Sequence, residues 1–217
     1  MNKNDVIKLI DSEKIIVIVR GVDKKDLIPL AKSMYDGGIR LLEVTYSANG
    51  SVTDEETADN IKLLADYFGD KMVIGAGTVL TEKQVELTYN AGGKFIISPD
   101  TYDKVIKKSV ELGLVSMPGA LTPTEIQTAN RLGADYVKLF PITNLGVGYL
   151  KAVKAPLSHV KLLAVGGVDE NNMSDYLSAG INGFGIGSNI VNKNLIKSGN
   201  FEKITDLARK FVKVVKG

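Results

Sequence analysis

Eight short β-rich runs, each followed by an amphipathic helical stretch, set the limits on how this chain folds. The runs are Lys14 to Arg20, Ile39 to Thr45, Met72 to Ile74, Lys94 to Ser98, Leu114 to Ser116, Asp135 to Phe140, Val160 to Val165 and Gly183 to Ile186. Helix starts are marked by Thr53-Asp-Glu-Glu56 and Thr81-Glu-Lys-Gln84, which read as capping boxes. Thr122-Pro-Thr-Glu125 adds a proline at the first helical position. Gly37-Gly38, Gly92-Gly93, Gly113, Gly133 and Gly180 each stand between a helix and the next strand, as a left-handed cap requires. At about 27 residues per βα unit over 217 residues, the pattern predicts a single domain spanning residues 1–217. That domain is an α/β fold, a closed (β/α)8 TIM barrel, with a short N-terminal helix at Asp5 to Asp11 covering the barrel floor. The rival, an open doubly wound sheet, requires a Gly-x-Gly-x-x-Gly turn after the first strand, where Arg20-Gly21 stands instead.

Composition narrows the chemistry. Net charge is +2, with 27 basic and 25 acidic residues dispersed along the chain, so there is no basic block for nucleic acid. With no cysteine and a single histidine, His159, thiolate metal sites and multi-histidine sites are excluded. No apolar run approaches membrane-spanning length, and the N-terminus is interrupted by charge every few residues. The expectation is a cytoplasmic protein with no membrane partner, running its chemistry on Lys, Glu, Arg, Thr and backbone groups.

Lys138 carries the sharpest chemical signal. It lies in Ala134-Asp-Tyr-Val-Lys-Leu-Phe-Pro141, at the exit of an apolar strand that stops at proline. Alternation puts Tyr136, Lys138 and Phe140 on one face and Val137 and Leu139 on the other. Burial disfavours an ammonium, so it moves a lysine pKa toward the range in which the neutral amine attacks a carbonyl and forms a Schiff base. The competing reading is an edge-strand lysine whose ammonium snorkels to water.

A barrel places its reactive groups at the C-terminal strand ends. Here these carry Arg20, Glu43 and Thr45, Gly75-Ala-Gly-Thr78, Ser98-Pro99, Met117-Pro-Gly119, Lys138 and Phe140, Gly166-Gly167, and Gly187-Ser188. Leu41, Glu43 and Thr45 share a face, which points a carboxylate inward beside the amine, where it can shuttle protons or simply pair with a base. Two glycine-rich turns, Val165-Gly-Gly-Val168 and Gly183-Phe-Gly-Ile-Gly-Ser188, end the last two strands, where barrels bind phosphate through backbone N–H groups. Tight turns alone would also use these glycines. Arg20, one of four arginines, offers a fork to a carboxylate or phosphate, or an ion pair to Glu43. Met117-Pro-Gly119 offers no reactive side chain and shapes the pocket wall.

Together these residues resemble the class I pyruvate-dependent aldolases that cleave 2-keto-3-deoxy-6-phosphogluconate (KDPG) and 4-hydroxy-2-oxoglutarate (KHG). The resemblance covers nearly the whole chain. It rests on Glu43-Val-Thr45, Gly75-Ala-Gly-Thr-Val79, Ile97-Ser-Pro99, Met117-Pro-Gly119, Lys138-Leu-Phe-Pro141, Gly166-Gly167 and Gly187-Ser188. It implies that Lys138 forms the Schiff base, Glu43 is the general acid/base, Thr78 holds the pyruvate part, and Arg20, Pro99 and Phe140 line the pocket. It also implies that Gly166, Gly167, Gly187 and Ser188 receive the phosphate, that the partners are pyruvate and a phosphorylated sugar acid, and that the assembly is a homotrimer. The covalent imine makes a metal or organic cofactor unnecessary.

The sequence departs from the family pattern in two places. Phosphogluconate-type members carry threonine just before the Gly-Gly pair, whereas Val165 resembles the sibling aldolases for 2-keto-3-deoxy-6-phosphogalactonate. The loop Tyr46 to Asp54 is longer than usual and has Ser47 where some members carry arginine, so an anion contact is lost there or moved to another residue. Two other functions fit the same barrel: a phosphosugar isomerase or synthase that uses Lys138 only as a charge, and a non-catalytic sensor of a sugar acid.

Overall fold

The computed structural model describes all 217 residues, Met1 to Gly217. Nine parallel strands form one sheet: β1 (Ile15–Val19), β2 (Leu41–Thr45), β3 (Val73–Gly77), β4 (Phe95–Ile97), β5 (Val115–Met117), β6 (Gly119–Ala120), β7 (Val137–Leu139), β8 (Leu162–Val165) and β9 (Gly183–Ile186). Their order is β5-β4-β3-β2-β1-β9-β8-β7-β6. The fifth expected strand is therefore two pieces, divided at Pro118, which has no N–H to give to a ladder. β5 pairs with β4 and β6 pairs with β7, so the chain itself joins the two ends of the ladder. Bonds from Lys138 N to the Pro118 carbonyl at 2.9 Å and from Tyr136 N to the Ser116 carbonyl at 3.3 Å cross this seam. The α/β barrel read from the sequence is present, with one strand interrupted.

Helix α1 (Lys3–Glu13) precedes the barrel. The outer helices are α2 (Lys24–Asp36), α3 (Asp54–Phe68), α4 (Glu82–Asn90), α5 (Asp103–Glu111), α6 (Pro123–Arg131), α7 (Gly146–Lys154), α8 (Met173–Ser178), α9 (Lys193–Lys197) and α10 (Phe201–Lys216). Thr53 and Thr122 form reciprocal capping boxes with Glu56 and Glu125. Thr81 forms only half of one. It caps the Gln84 N–H, but the Gln84 side chain turns away, accepting from Leu80 N at 2.7 Å and donating to Asp54 Oδ1 at 2.9 Å. Gly38, Gly92, Gly113, Gly133 and Gly180 all adopt positive φ, as the helix-to-strand turns demand.

One strand runs well past its expected end, while β9 keeps its expected bounds. β3 continues through Gly77 instead of ending at Ile74, because its glycines supply interior space rather than a loop. A Cβ on Gly75 would stand 2.3 Å from the Phe95 ring. In β9, a Cβ on Gly185 would stand 2.8 Å from Val165 Cγ2, so these glycines are likewise part of the strand and its packing.

Helix α1 closes the floor and extends further than Asp5 to Asp11, since Asn2 and Asp5 form a capping box at its start. Val6 and Ile10 pack against Ile16, Leu41, Val73, Phe95 and Tyr136 inside the ring. Each such side chain, once withdrawn from water, contributes about 1.5–3 kcal/mol. A polar latch joins helix to barrel. The Tyr136 hydroxyl donates to Asp11 Oδ1 at 2.8 Å, with the Ile7 carbonyl at 3.2 Å, and Lys161 Nζ meets Asp11 Oδ2 at 2.7 Å. Val137 and Leu139, on the other face of β7, belong to the larger apolar layer between ring and helices. No helix is long and apolar enough to cross a membrane.

The latch gives a stability prediction. Tyr136→Phe removes the donor while preserving the ring, and should lower unfolding free energy by about 1–2 kcal/mol, seen as a lower urea midpoint with unchanged slope. A midpoint equal to that of the parent protein would show that the latch contributes nothing.

Candidate active site

The strand exits surround a cavity of about 1030 Å³, and all eleven residues singled out from the sequence line it: Arg20, Glu43, Thr78, Pro99, Lys138, Phe140, Val165, Gly166, Gly167, Gly187 and Ser188. Lys138 is 7% exposed and Glu43 2% exposed, so both charges are held in the barrel mouth and largely shielded from water. Lys138 therefore does not snorkel. Its Nζ lies 4.6 Å from the centroid of the Phe140 ring, the half-open aromatic that ends the strand.

Glycine makes room for the carboxylate. A Cβ on Gly77, in the strand beside β2, would fall 1.5 Å from Glu43 Oε1. Glu43 makes no direct ion pair with Lys138 or Arg20 and feels both through space. Burial pushes the Glu43 carboxyl up, opposed by the positive charges of Lys138 and Arg20. Burial pushes the Lys138 amine down, opposed by Glu43 and reinforced by Arg20. Burial thus shifts the amine toward its neutral form and the carboxyl toward holding a proton, directions suited to carbonyl addition followed by proton transfer.

Arg20 is not paired with Glu43. Its Nη2 donates to Thr78 Oγ1 at 2.8 Å, tying the exit of β1 to that of β3 across β2. Thr78 has φ +56°, a strained backbone for a β-branched residue, of the kind that clusters at functional sites. Pro99 is placed by close backbone approach, since a Cβ on Gly119 would stand 2.3 Å from the Pro99 carbonyl oxygen.

On the two strands next in order after the amine's own, Gly166 and Gly167 follow β8 with φ of +89° and +71°, and Ser188 follows β9. The backbone N–H groups of Gly166, Gly167 and Ser188 donate to no acceptor in the protein. Val165 is buried just before this cluster and presents methyl groups where a threonine would present a hydroxyl.

Several cavity residues escaped the sequence reading: Asp169, Asn189, Asn192, Lys193 and Asn194. The available signal was their position within a few residues of the Gly-Gly and Gly-Ser motifs. Thr45 shares the inward face of Glu43 and has a buried hydroxyl with no partner. In the longer loop, Ser47 donates to Asn49 Oδ1 at 2.7 Å and lies 2.9 Å from the Ser51 hydroxyl, so the loop satisfies itself.

A family model described as KDPG and KHG aldolase matches residues 6–207. The chain belongs to this aldolase family. It is 33% identical over 201 residues to the 2-dehydro-3-deoxy-6-phosphogalactonate aldolase of Escherichia coli (strain K12), covering 92% of this chain and 93% of that protein. It is 32% identical over 213 residues to the 2-dehydro-3-deoxy-phosphogluconate aldolase of Haemophilus influenzae, covering 97% of both. Among solved structures, the KDPG aldolase of Legionella pneumophila, with pyruvate captured as a covalent carbinolamine, superposes with a TM-score of 0.83 at 30% identity. That match covers 93% of this chain and 95% of the other.

The charges around Lys138 predict opposite shifts in two variants. Glu43→Gln removes the charge that raises the Lys138 pKa, so the pH midpoint for Lys138 acetylation by acetic anhydride should fall. Arg20→Met removes the charge that lowers it, so the midpoint should rise. Peptide mass mapping across a pH series measures both, and two shifts of the same sign would contradict this electrostatic account.

Proposed function

We propose that this aldolase uses Schiff-base chemistry to cleave, reversibly, a 2-keto-3-deoxy-6-phospho sugar acid to pyruvate and glyceraldehyde 3-phosphate, and KHG to pyruvate and glyoxylate. The observation that carries this reading is the buried Lys138 amine, coupled through space to a buried Glu43 that does not pair with it. No metal or organic cofactor is invoked. The homotrimer that the family resemblance implies and the cytoplasmic location expected from the sequence belong to the same proposal.

The neutral Lys138 Nζ adds to the C2 ketone, giving a carbinolamine that loses water to form a protonated imine. Glu43 supplies and recovers the protons of these steps. As the C3–C4 bond breaks, its electron pair moves into the imine. The C4 hydroxyl gives its proton to the Glu43 carboxylate, and the aldehyde departs. The resulting enamine takes a proton at C3 from Glu43, and water then releases pyruvate and regenerates Lys138. Arg20 and Thr78 are assigned to the keto-acid carboxylate, with Pro99 and Phe140 as the walls around it. The free N–H groups of Gly166, Gly167 and Ser188, with Gly187 giving close approach, are assigned to the phosphate.

Val165 favours a second reading within the same reaction. A methyl-bearing residue before the Gly-Gly pair cannot hydrogen-bond the C4 hydroxyl as threonine can, and the similarity to a phosphogalactonate aldolase points the same way. Sites built to pair a hydroxyl discriminate strongly, so this position is assigned the choice between the gluconate and galactonate epimers.

Incubation with pyruvate and borohydride should give one reduced adduct on the peptide containing Lys138, and Lys138→Ala should abolish both adduct and cleavage. A folded wild-type protein that forms no adduct would direct attention to the isomerase and sensor readings. Val165→Thr should move the kcat/KM ratio toward the gluconate epimer by about tenfold or more. An unchanged ratio would remove Val165 from the choice of epimer.

A further inference from the structure

We infer that Lys193 is a specificity-determining cation for the phosphate end of the substrate. The inference rests on the aldolase reading above. Lys193 lines the same cavity as Lys138 and Ser188, is exposed, and has neither an ion pair nor a side-chain hydrogen bond. Its Nζ reaches over the exit of β1, 3.5 Å from where a Cβ on Gly21 would stand. The side chain of Asn192 already accepts from Asn194 N and Leu195 N, so two of the first N–H groups of α9 are taken, while the Lys193 ammonium has no partner. Asp169 also lines the cavity, but its Oδ1 accepts from Asn171 N and Asn172 N and belongs to its own turn.

The strand order divides the cationic work. Arg20 also leaves β1 but leans across β2 to Thr78, just past β3, toward the keto-acid end. Lys193 reaches the exit of β1, the strand next to β9, in the cavity that Gly166, Gly167 and Ser188 line with free N–H groups. A substrate with two anionic ends thus meets one cation at each. Ser47 and its loop partners are neutral and mutually bonded, so they offer the anion no charge. Two cations in one cavity, one turned toward the exit of β3 and one at the β1–β9 side, match a phosphorylated acid better than its unphosphorylated counterpart.

The test compares Lys193→Met and Lys193→Arg with the parent enzyme on the 6-phosphorylated acid that it cleaves and on 2-keto-3-deoxygluconate, the same skeleton without phosphate. In the methionine variant, KM for the phosphorylated acid should rise about tenfold with little change in kcat, and the arginine variant should recover most of that loss. KM for the unphosphorylated acid should be insensitive, and pyruvate trapping at Lys138 reports that the catalytic end is intact. Equal losses on both substrates, or no loss on either, overturn the inference. Should wild-type enzyme form no pyruvate adduct, so that the aldolase reading itself fails, calorimetric binding of inorganic phosphate still decides the role of Lys193. Weaker binding in the methionine variant supports it, and unchanged binding overturns it.

Discussion

Removing one amine and one carboxyl from water, close together but not in contact, is the constraint on which the active site depends. A direct Lys138–Glu43 ion pair would hold both groups charged, and a charged amine does not add to a carbonyl. Separation by more than ion-pair distance leaves burial as the larger influence on each. The fold achieves this separation with rigid parts. Both residues are on strands of a closed ring, Gly77 opens a slot for the carboxylate, and Phe140 covers the amine. The surrounding apolar packing sets the electrostatics as much as the two charges do.

What could be read in the sequence was what is local in the sequence. Strand and helix periods, threonine caps and left-handed glycines each depend on a few consecutive residues, so the alternation that defines the barrel was legible. Lys138 and Glu43 were legible because a charged residue on the inward face of an apolar strand conflicts with its surroundings. Through-space events were hidden. Pro118 read as a passive wall residue, yet it divides a strand where the ring closes. Gly75 and Gly77 read as lying past the end of their strand because the side chains that need their space, Phe95 and Glu43, lie on neighbouring strands. The Arg20–Thr78 bond spans 58 residues and the Tyr136–Asp11 bond spans 125. Lys193, one lysine among 23, carries no local conflict to mark it.

Family membership and local chemistry answer different questions here. The match over residues 6–207 establishes the aldolase family, while relatives at 32–33% identity carry both gluconate and galactonate names. Discrimination between epimers turns on one hydroxyl, a difference that overall similarity of this order does not encode. Under the proposed assignment that choice falls to Val165, a single position at the barrel mouth.

The helix plugged into the floor also fixes the traffic of the reaction. With α1 latched beneath the ring, everything enters and leaves by one mouth, and Lys138 is at its inner end. Under the proposed chemistry the aldehyde stands between the enamine and solvent and must depart before pyruvate can be released. Run in reverse, pyruvate must be seated first, because an aldehyde that arrives early occupies the corridor its partner needs. Order of binding is then a property of the architecture, set at the end of the barrel farthest from the bond being broken.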